Sequence, residues 1–303
     1  MRAGRLECSQ GHGYDIVREI PRFVAGSTYA DHFGAQWNRF RRTQLDSYSG
    51  HPITRDRLRR CFGEPLWNSL AGKQVLECGC GAGRFTEVML ESGARVTSID
   101  LSAAVDANGD QFPPGPEHRI AQADIGKLPF APRSFDVVLC IGVVQHTPDS
   151  EKTIADLYNM VAPGGTLIID HYVLTLSWYL KTAPLFRAWM TRMEPAAALE
   201  LCETLVNRLL PLHKAVAKLP VARSLVHRIS PVMSYYAVYP ELNDELQREW
   251  AMLDTHDTLT DRFKHSRTES QIRQAMTALG MEEIWCAPGG NGIEARGRRP
   301  AST

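Results

Sequence analysis

The stretch Val75-Leu76-Glu77-Cys78-Gly79-Cys80-Gly81-Ala82-Gly83-Arg84 decides the fold. Residues 74–78 form a short apolar run that reads as a buried strand, and a helical pattern begins near Arg84. Three glycines between a strand and a helix have a direct physical meaning. Glycine adopts positive φ and lets the backbone approach a ligand, while the helix N-terminus supplies free N–H groups. Neighbouring residues separate the competing glycine loops. The dinucleotide fingerprint needs a glycine where Arg84 stands, and a P-loop needs Gly-Lys-Ser/Thr, which does not follow.

Working outward, residues 94–100, 117–121, 135–140 and 166–170 read as four more strands. Helical patterns open at Ser102 and cover 150–161, and Pro163-Gly164-Gly165 punctuates before the fifth strand. Strand–helix alternation, with strands apolar on both faces, predicts an α/β fold with a mostly parallel sheet between helices. Residues 269–279 read as a helix capped by Gly280, and 281–287 and 292–296 as strands around Pro288-Gly289-Gly290-Asn291. Such a hairpin would make one edge of the sheet antiparallel.

Polar residues fall where strands end. Asp100 closes the second strand, where a carboxylate can accept both hydroxyls of an adenosine ribose at about 1.5–3 kcal/mol each. Asp124-Ile125 follows the third strand, a carboxylate for an exocyclic amine beside an apolar face for a ring. Glu77 precedes the glycines, where a cationic amino group would be welcome. A tight turn for each glycine and a helix cap for each aspartate are the purely structural alternatives.

Together these residues resemble the class I S-adenosylmethionine (SAM)-dependent methyltransferases. Residues 75–84 are similar to their first motif and Ser98-Ile99-Asp100-Leu101-Ser102 to their second. Gln122-Ala123-Asp124-Ile125 through Leu128-Pro129-Phe130 is similar to their adenine-binding segment, and Phe135-Asp136-Val137-Val138 with Leu157 to Gly165 completes the pattern. The likeness covers about 70–171 closely and 266–297 loosely. It implies a doubly wound seven-stranded sheet of order 3-2-1-4-5-7-6, last strand antiparallel, with SAM as cofactor. By matching positions, Gly79, Gly81 and Gly83 would flank the methionine part with the Cys140 backbone. Asp100 would hold the ribose, Asp124 with Ile125 the adenine, Leu101 of the second motif would also bind the cofactor, and Glu77 would face the amino group.

Methyl transfer from a sulfonium is an in-line displacement, for which orientation supplies about 7–11 kcal/mol. A base is needed only for a poorly ionised acceptor. His146, in Val143-Val144-Gln145-His146-Thr147-Pro148, and His171, after strand five, fall at the C-terminal rim of the sheet and are the candidate bases. Packing histidines are the alternative for both. Asp254-Thr255-His256-Asp257 adds polar candidates that a solvated loop or helix start also explains. The family's Asn/Asp-Pro-Pro-Tyr/Phe loop for amine methylation is replaced by Gly142-Val143-Val144-Gln145, which weighs against a nucleobase exocyclic amine and, with the neutral charge, for a small-molecule or glycan acceptor.

The domain reading is 1–70, an N-terminal strand pair and helical cap; 71–171 with 266–303, the SAM-binding domain; and 172–265, a helical lid that sets acceptor choice. The pattern Leu6-Glu7-Cys8-Ser9-Gln10-Gly11-His12 with Tyr14-Asp15-Ile16 resembles the latter half of a zinc-ribbon-like module, but two ligands do not hold zinc, so no metal is predicted. Tyr29, Phe33, Gln36, Trp37, Phe40, Arg42 and Gln44 lie before the first motif, where family members cover SAM. In 174–230, eight Lys/Arg (Lys181, Arg187, Arg192, Arg208, Lys214, Lys218, Arg223, Arg228) face three Glu (Glu194, Glu200, Glu203) amid apolar residues. Three readings stay open for that stretch: a peripheral membrane contact, a lid packed on the core with solvated charges, and a homodimer face.

The whole chain balances 34 Lys+Arg against 34 Asp+Glu over 303 residues, which weighs against nucleic acid as partner. No apolar run approaches a transmembrane helix, and Met1 to Asp15 lacks the apolar centre of a signal peptide. Seven scattered cysteines suit a reducing compartment, so a cytoplasmic enzyme is expected. The functional expectation is methyl transfer to a small-molecule, sugar or lipid-linked acceptor through oxygen. An RNA or protein methyltransferase and a non-catalytic SAM-binding partner are the rivals.

Overall fold

The computed structural model describes residues 4–8, 11–175, 178 and 180–301. Ser9 and Gln10 of the N-terminal motif, and residues 176, 177 and 179 of the basic stretch, lie outside the described residues. The chain opens with β1 (Gly4–Glu7), β2 (Gly13–Val17) and β3 (Ile20–Pro21), an antiparallel meander of three strands rather than the predicted pair. Helices α1 (Asp31–Arg39), α2 (Asp46–Ser49), α3 (Ile53–Phe62) and α4 (Glu64–Trp67) follow.

The central layer then alternates: β4 (Gln74–Cys78), α5 (Arg84–Glu91), β5 (Arg95–Asp100), α6 (Ala104–Gln111), β6 (His118–Gln122) and β7 (Phe135–Cys140). Then come α7 (Ser150–Met160) and β8 (Val161–Tyr172). The insertion is helical: α8 (Ala183–Met190), α9 (Pro195–Val216), α10 (Pro220–Ile229) and α11 (Asp244–Thr260). The chain returns through α12 (Glu269–Ala278), β9 (Glu282–Gly289) and β10 (Gly292–Arg298).

The seven-stranded sheet runs β6-β5-β4-β7-β8-β10-β9, the expected 3-2-1-4-5-7-6 order. Only the position of its antiparallel element differs from the hairpin reading. β10 is antiparallel to both β8 and β9, so it lies inside the sheet and the edge strand β9 runs with the others.

Period-two alternation divides the strands between two cores. Leu76, Cys78, Val138, Cys140, Leu167 and Ile169 pack with Ile154 and Leu157 of α7 and Ile272 and Met276 of α12. Val75, Val96, Val137, Leu139 and Ile168 pack on the other face with Leu58 and Phe62 of α3 and Val88 and Met89 of α5. The insertion builds a third cluster, in which Met190, Cys202, Val206, Ala251 and Met252 meet Phe40 of the N-terminal part.

One polar cluster breaks the apolar pattern. Register places Glu294 of β10 directly opposite Asp170 of β8, both buried. Arg57 of α3 bridges them, with Nη2 2.7 Å from Asp170 and Nε 3.0 Å from Glu294. Arg60, one turn on, adds Nε 2.7 Å from Glu294. Burial pushes the Glu294 carboxyl up, but the two guanidiniums outweigh it and hold the carboxyl below the usual range. Replacing Arg57 by Met would leave two buried carboxylates facing each other, and should cost about 3–5 kcal/mol in urea unfolding. A carboxyl with lowered folded pKa contributes stability at neutral pH that is lost as pH falls through that value. The deficit of Arg57→Met should therefore be largest at neutral pH and narrow in acid; a pH-independent deficit below 1 kcal/mol would contradict the bridging role.

Candidate functional site

A cleft of about 1100 Å³, partly open to solvent, lies over the C-terminal ends of β4, β5 and β7. Three separate parts of the chain wall it. The glycine loop and strand ends form the floor, Tyr29, Phe33, Gln36, Trp37 and Gln44 form one side, and Leu253, Asp254 and Asp257 of α11 form the other.

At the cofactor end, Gly79, Cys80 and Gly81 line the cleft with Asp100, Leu101, Ala123 and Ile125. Gly79 and Gly81 have φ of 78° and 51°, and a Cβ on Gly81 would come within 3.0 Å of the Trp37 ring. Asp100 is committed first to its own loop. Its Oδ2 accepts from Gly81 N at 3.0 Å, and its Oδ1 accepts from Ser102 N at 2.8 Å and Ser102 Oγ at 2.7 Å. That occupies three of about four acceptor positions, so as folded Asp100 can take one further hydroxyl rather than two. Burial raises its pKa despite these donors. Tyr29 sits between the acids: burial first, then Asp124 and Asp100, push its hydroxyl to about 12.

Five of the predicted residues are placed otherwise. Gly83 is not on the cleft; it caps α5 at φ 98°, and a Cβ there would meet the Phe112 ring at 2.6 Å. Glu77 is sealed beneath the loop on the same strand face as Val75, where its Oε2 accepts from Thr86 Oγ1 at 2.5 Å and Ser98 Oγ at 2.8 Å. Burial pushes its pKa up to about 7, with those donors pulling the other way. Asp124 uses Oδ1 to accept from Gly126 N at 2.8 Å, capping its own turn, and its neighbours Ala123 and Ile125 line the cleft instead. Cys140 is wholly buried with Cys78, and Ile141, Gly142 and Val143 take its place.

His171 is the fifth. Alternation along β8 turns Asp170 and Tyr172 toward the α3 face and the cleft, so His171 faces the opposite core. Its Nε2 meets Ser150 Oγ of α7 at 3.3 Å, and burial lowers its pKa to about 4. It is a packing histidine away from the reacting end.

His146 does line the cleft, and the structure gives it partners that sequence reading missed. Its Nδ1 lies 3.2 Å from both the Phe263 carbonyl and Asp261 Oδ2. Its Nε2 lies 3.2 Å from the Tyr172 hydroxyl and 3.7 Å from Asp257 Oδ1. Burial lowers the pKa of His146, but Asp257 and Asp261 more than offset it and the net shift is upward. Asp257 Oδ1 has no hydrogen-bond partner among the described residues, and Tyr172 donates to Asp257 Oδ2 at 3.3 Å.

Residues 254–257 belong to the interior of α11, not to a loop or helix start, and His256 stands behind the cleft wall, its Nδ1 2.5 Å from Gln36 Oε1. Asp254, Asp257 and Asp261 repeat at i, i+3 and i+7, a spacing that places them on one helix face and was available in the sequence. His146, Asp257 and Asp261 present ligand atoms within 4.8 Å of one another, a geometry a cation could use. Protein cations already compensate Asp261, with Arg187 Nε at 2.6 Å and Lys264 Nζ at 2.9 Å. Gln44, Arg57, Arg84, Asp254 and Asn291 add a polar part to the lining. Arg84 donates there to Thr54 Oγ1 at 3.0 Å and Gln44 Oε1 at 2.8 Å, and burial lowers its pKa.

Residues 76–169 match the family model described as a methyltransferase domain. The ubiquinone biosynthesis O-methyltransferase of Pseudomonas entomophila (strain L48) is 41% identical over 105 residues, 34% of this chain and 45% of that protein. The protein of the same name from Azotobacter vinelandii is 39% identical over 104 residues, 33% of this chain and 45% of that protein. The alignments thus span less than half the length of these curated relatives. Among solved structures, a SAM-dependent methyltransferase of Methanosarcina mazei superposes with a TM-score of 0.42 at 15% identity, covering 76% of this chain and 93% of that one.

Asp100→Ala should weaken SAM binding by about tenfold or more, roughly 1.4 kcal/mol, in calorimetry, with the fold retained by circular dichroism. His171→Ala should lower the melting temperature and leave SAM affinity unchanged. An unchanged affinity for the first, or a lost one for the second, would overturn this placement of the cofactor end.

Proposed function

We propose that this protein methylates an oxygen atom of a small acceptor, proceeding from the membership of residues 76–169 in the class I SAM-dependent methyltransferase family. The single observation that carries the reading is the set around His146. An imidazole lines the cleft with a carboxylate on one ring nitrogen and a second carboxylate and a phenol beside the other.

The cofactor end fits SAM by the chemistry of its donors. A strand-end carboxylate with one free acceptor position suits a ribose hydroxyl, and Leu101 and Ile125 suit the faces of a flat ring. Gly79, Gly81, Asp100, Leu101 and Ile125 would hold it, and when bound it supplies an electrophilic methyl group on sulfur.

The chain's own residues then handle the acceptor proton. Nδ1–H of His146 donates to Asp261 and the Phe263 carbonyl, which leaves Nε2 to accept, from the Tyr172 hydroxyl in the resting site and from an acceptor hydroxyl once Tyr172 donates to Asp257 instead. An acceptor hydroxyl at Nε2 loses its proton there as its oxygen becomes nucleophilic. Asp261 stabilises the imidazolium that forms, while Arg187 and Lys264 keep Asp261 ionised; its pKa is lowered despite its burial. Asp257, with its free Oδ1, can accept a hydrogen bond from a neighbouring acceptor hydroxyl. Phe33, Trp37, Val143 and Leu253 exclude water from this end.

Oxygen as the acceptor atom is supported by the Gly142-Val143-Val144-Gln145 loop and by the O-methyltransferase names of the aligned relatives. A sugar, a phenol or a lipid-linked hydroxyl each matches a cleft whose lining is apolar in one part and polar in another.

A base works when neutral, so kcat/KM should rise with pH through a pKa above the ordinary histidine value of about 6.5. His146→Ala should lower turnover by about 10²–10⁴-fold and flatten that limb while SAM affinity is kept. Incubation with methyl-labelled SAM and a fractionated cell extract identifies the acceptor. Label on a small molecule supports the reading; label only on RNA or protein, or SAM binding without any turnover, refutes it.

A further inference from the structure

The helical insertion leaves unpartnered apolar side chains in an ordered pattern. Of thirteen exposed large apolar residues among those described, eight fall within 180–229. On α10 they form a single stripe, Val221, Leu225 and Ile229, at 86%, 60% and 60% exposure. That is the i, i+4, i+8 spacing of one helix face. Only Val226 of α10 is buried, on the side that packs on α9. α8 repeats the arrangement, with Leu185 and Trp189 at 75% and 55% exposure and Ala183 and Met190 buried. The two helices are joined end to end, because Thr182 N, which precedes α8, donates to the Arg228 carbonyl near the end of α10 at 3.0 Å.

The charges accompanying these stripes have one sign. Residues 171–193 and 204–240 contain no Asp or Glu. Two of the eight cations expected on this surface are engaged elsewhere: Arg187 with Asp261 and Lys214 with Asp244. Arg192, Arg208, Lys218 and Arg228 remain exposed.

We propose that α8 and α10 dock on an anionic lipid bilayer, their Leu, Val, Ile and Trp side chains entering the interface and their Lys and Arg meeting lipid headgroups. Two physical arguments select this occupant. An isologous contact through α8 and α10 would bring their cations together with no carboxylate on either helix to oppose them. A nucleic acid would engage the cations but gives no use for two apolar stripes at helical spacing. A bilayer with anionic headgroups satisfies both features at once. The face is also connected to the site: α8 carries Leu185 and Trp189 on its exposed side and Arg187, which holds Asp261 behind His146.

Docking is tested without reference to catalysis, by flotation of the intact protein with vesicles. The protein should float with phosphatidylcholine vesicles containing phosphatidylglycerol, far less with phosphatidylcholine alone, and less as salt is raised. Lys218→Gln and Arg228→Gln should each weaken partitioning by roughly fivefold. The combined Leu185→Ser, Val221→Ser and Leu225→Ser variant should weaken it by at least about tenfold. All these positions are exposed, so melting temperature and SAM affinity should stay at wild-type values. Failure of the wild type to float with anionic vesicles, or equal flotation of the variants, overturns the proposal. So does a self-associated species in sedimentation that the apolar substitutions dissolve, since the face would then be a contact between copies.

Discussion

The arrangement rests on a conflict resolved by one guanidinium. Antiparallel pairing of β10 with β8 places Glu294 and Asp170 side by side in the interior, where like charges directly opposed destabilise a sheet. Arg57 ends that conflict and in doing so fixes α3 over both strands. The remaining oxygen of Asp170 accepts from Gly142 N at 2.6 Å, at the head of the loop that carries His146. One ion cluster therefore ties together the late strands, the N-terminal cap and the start of the loop that carries His146. Arg57 also lines the cleft, so the chemistry at that wall is coupled to the stability of the sheet.

The reacting end follows a similar logic at a smaller scale. Asp261 alone would bind the His146 imidazolium tightly and hold it charged. Arg187 and Lys264 share that carboxylate, which leaves the histidine pKa raised without fixing the proton. The sign matters for both stability and rate. A histidine with raised folded pKa contributes stability that is full at low pH and lost as pH rises through that value. The neutral form of His146 is thus the less stabilised one.

Most of the sheet was legible because apolar strand runs and glycine punctuation are local signals. The run 135–140 is observed as Phe135–Cys140, and the strand order follows the family pattern. Of the expected site residues, Gly79, Gly81, Asp100, Leu101, Ile125 and His146 line the cleft, because strand ends and the loops after them fall at one rim of such a sheet. Where side-chain direction decides, one residue of parity was enough to mislead. His171 and Tyr172 are adjacent, yet the strand turns one to the α7 core and the other to His146. Glu77 sits at the expected height on its strand but turns its side chain to the helices that cover the sheet, as does Cys140, whose expected part is its backbone alone. The α11 carboxylates were hidden differently, since their role needs a long-range packing that no local pattern announces.

The walls of the cleft also explain how an ordinary cofactor domain acquires its own acceptor. The family match at 76–169 contains the glycine loop, Asp100, Ile125 and His146. It contains none of Tyr29, Trp37, Gln44, Arg57, Leu253, Asp254, Asp257 or Asn291, which supply the rest of the lining. The matched segment therefore supplies the floor of the cleft, and the N-terminal cap, the insertion and the β9–β10 turn supply its other walls. His146 belongs to the matched segment, and Asp257 and Asp261 to the insertion. Their contact then depends on α11 being seated, and α11 is held by α8 and α9 through their common core. Any ligand or surface that shifts these helices acts on the His146–Asp261 distance directly, with no change required in the sheet.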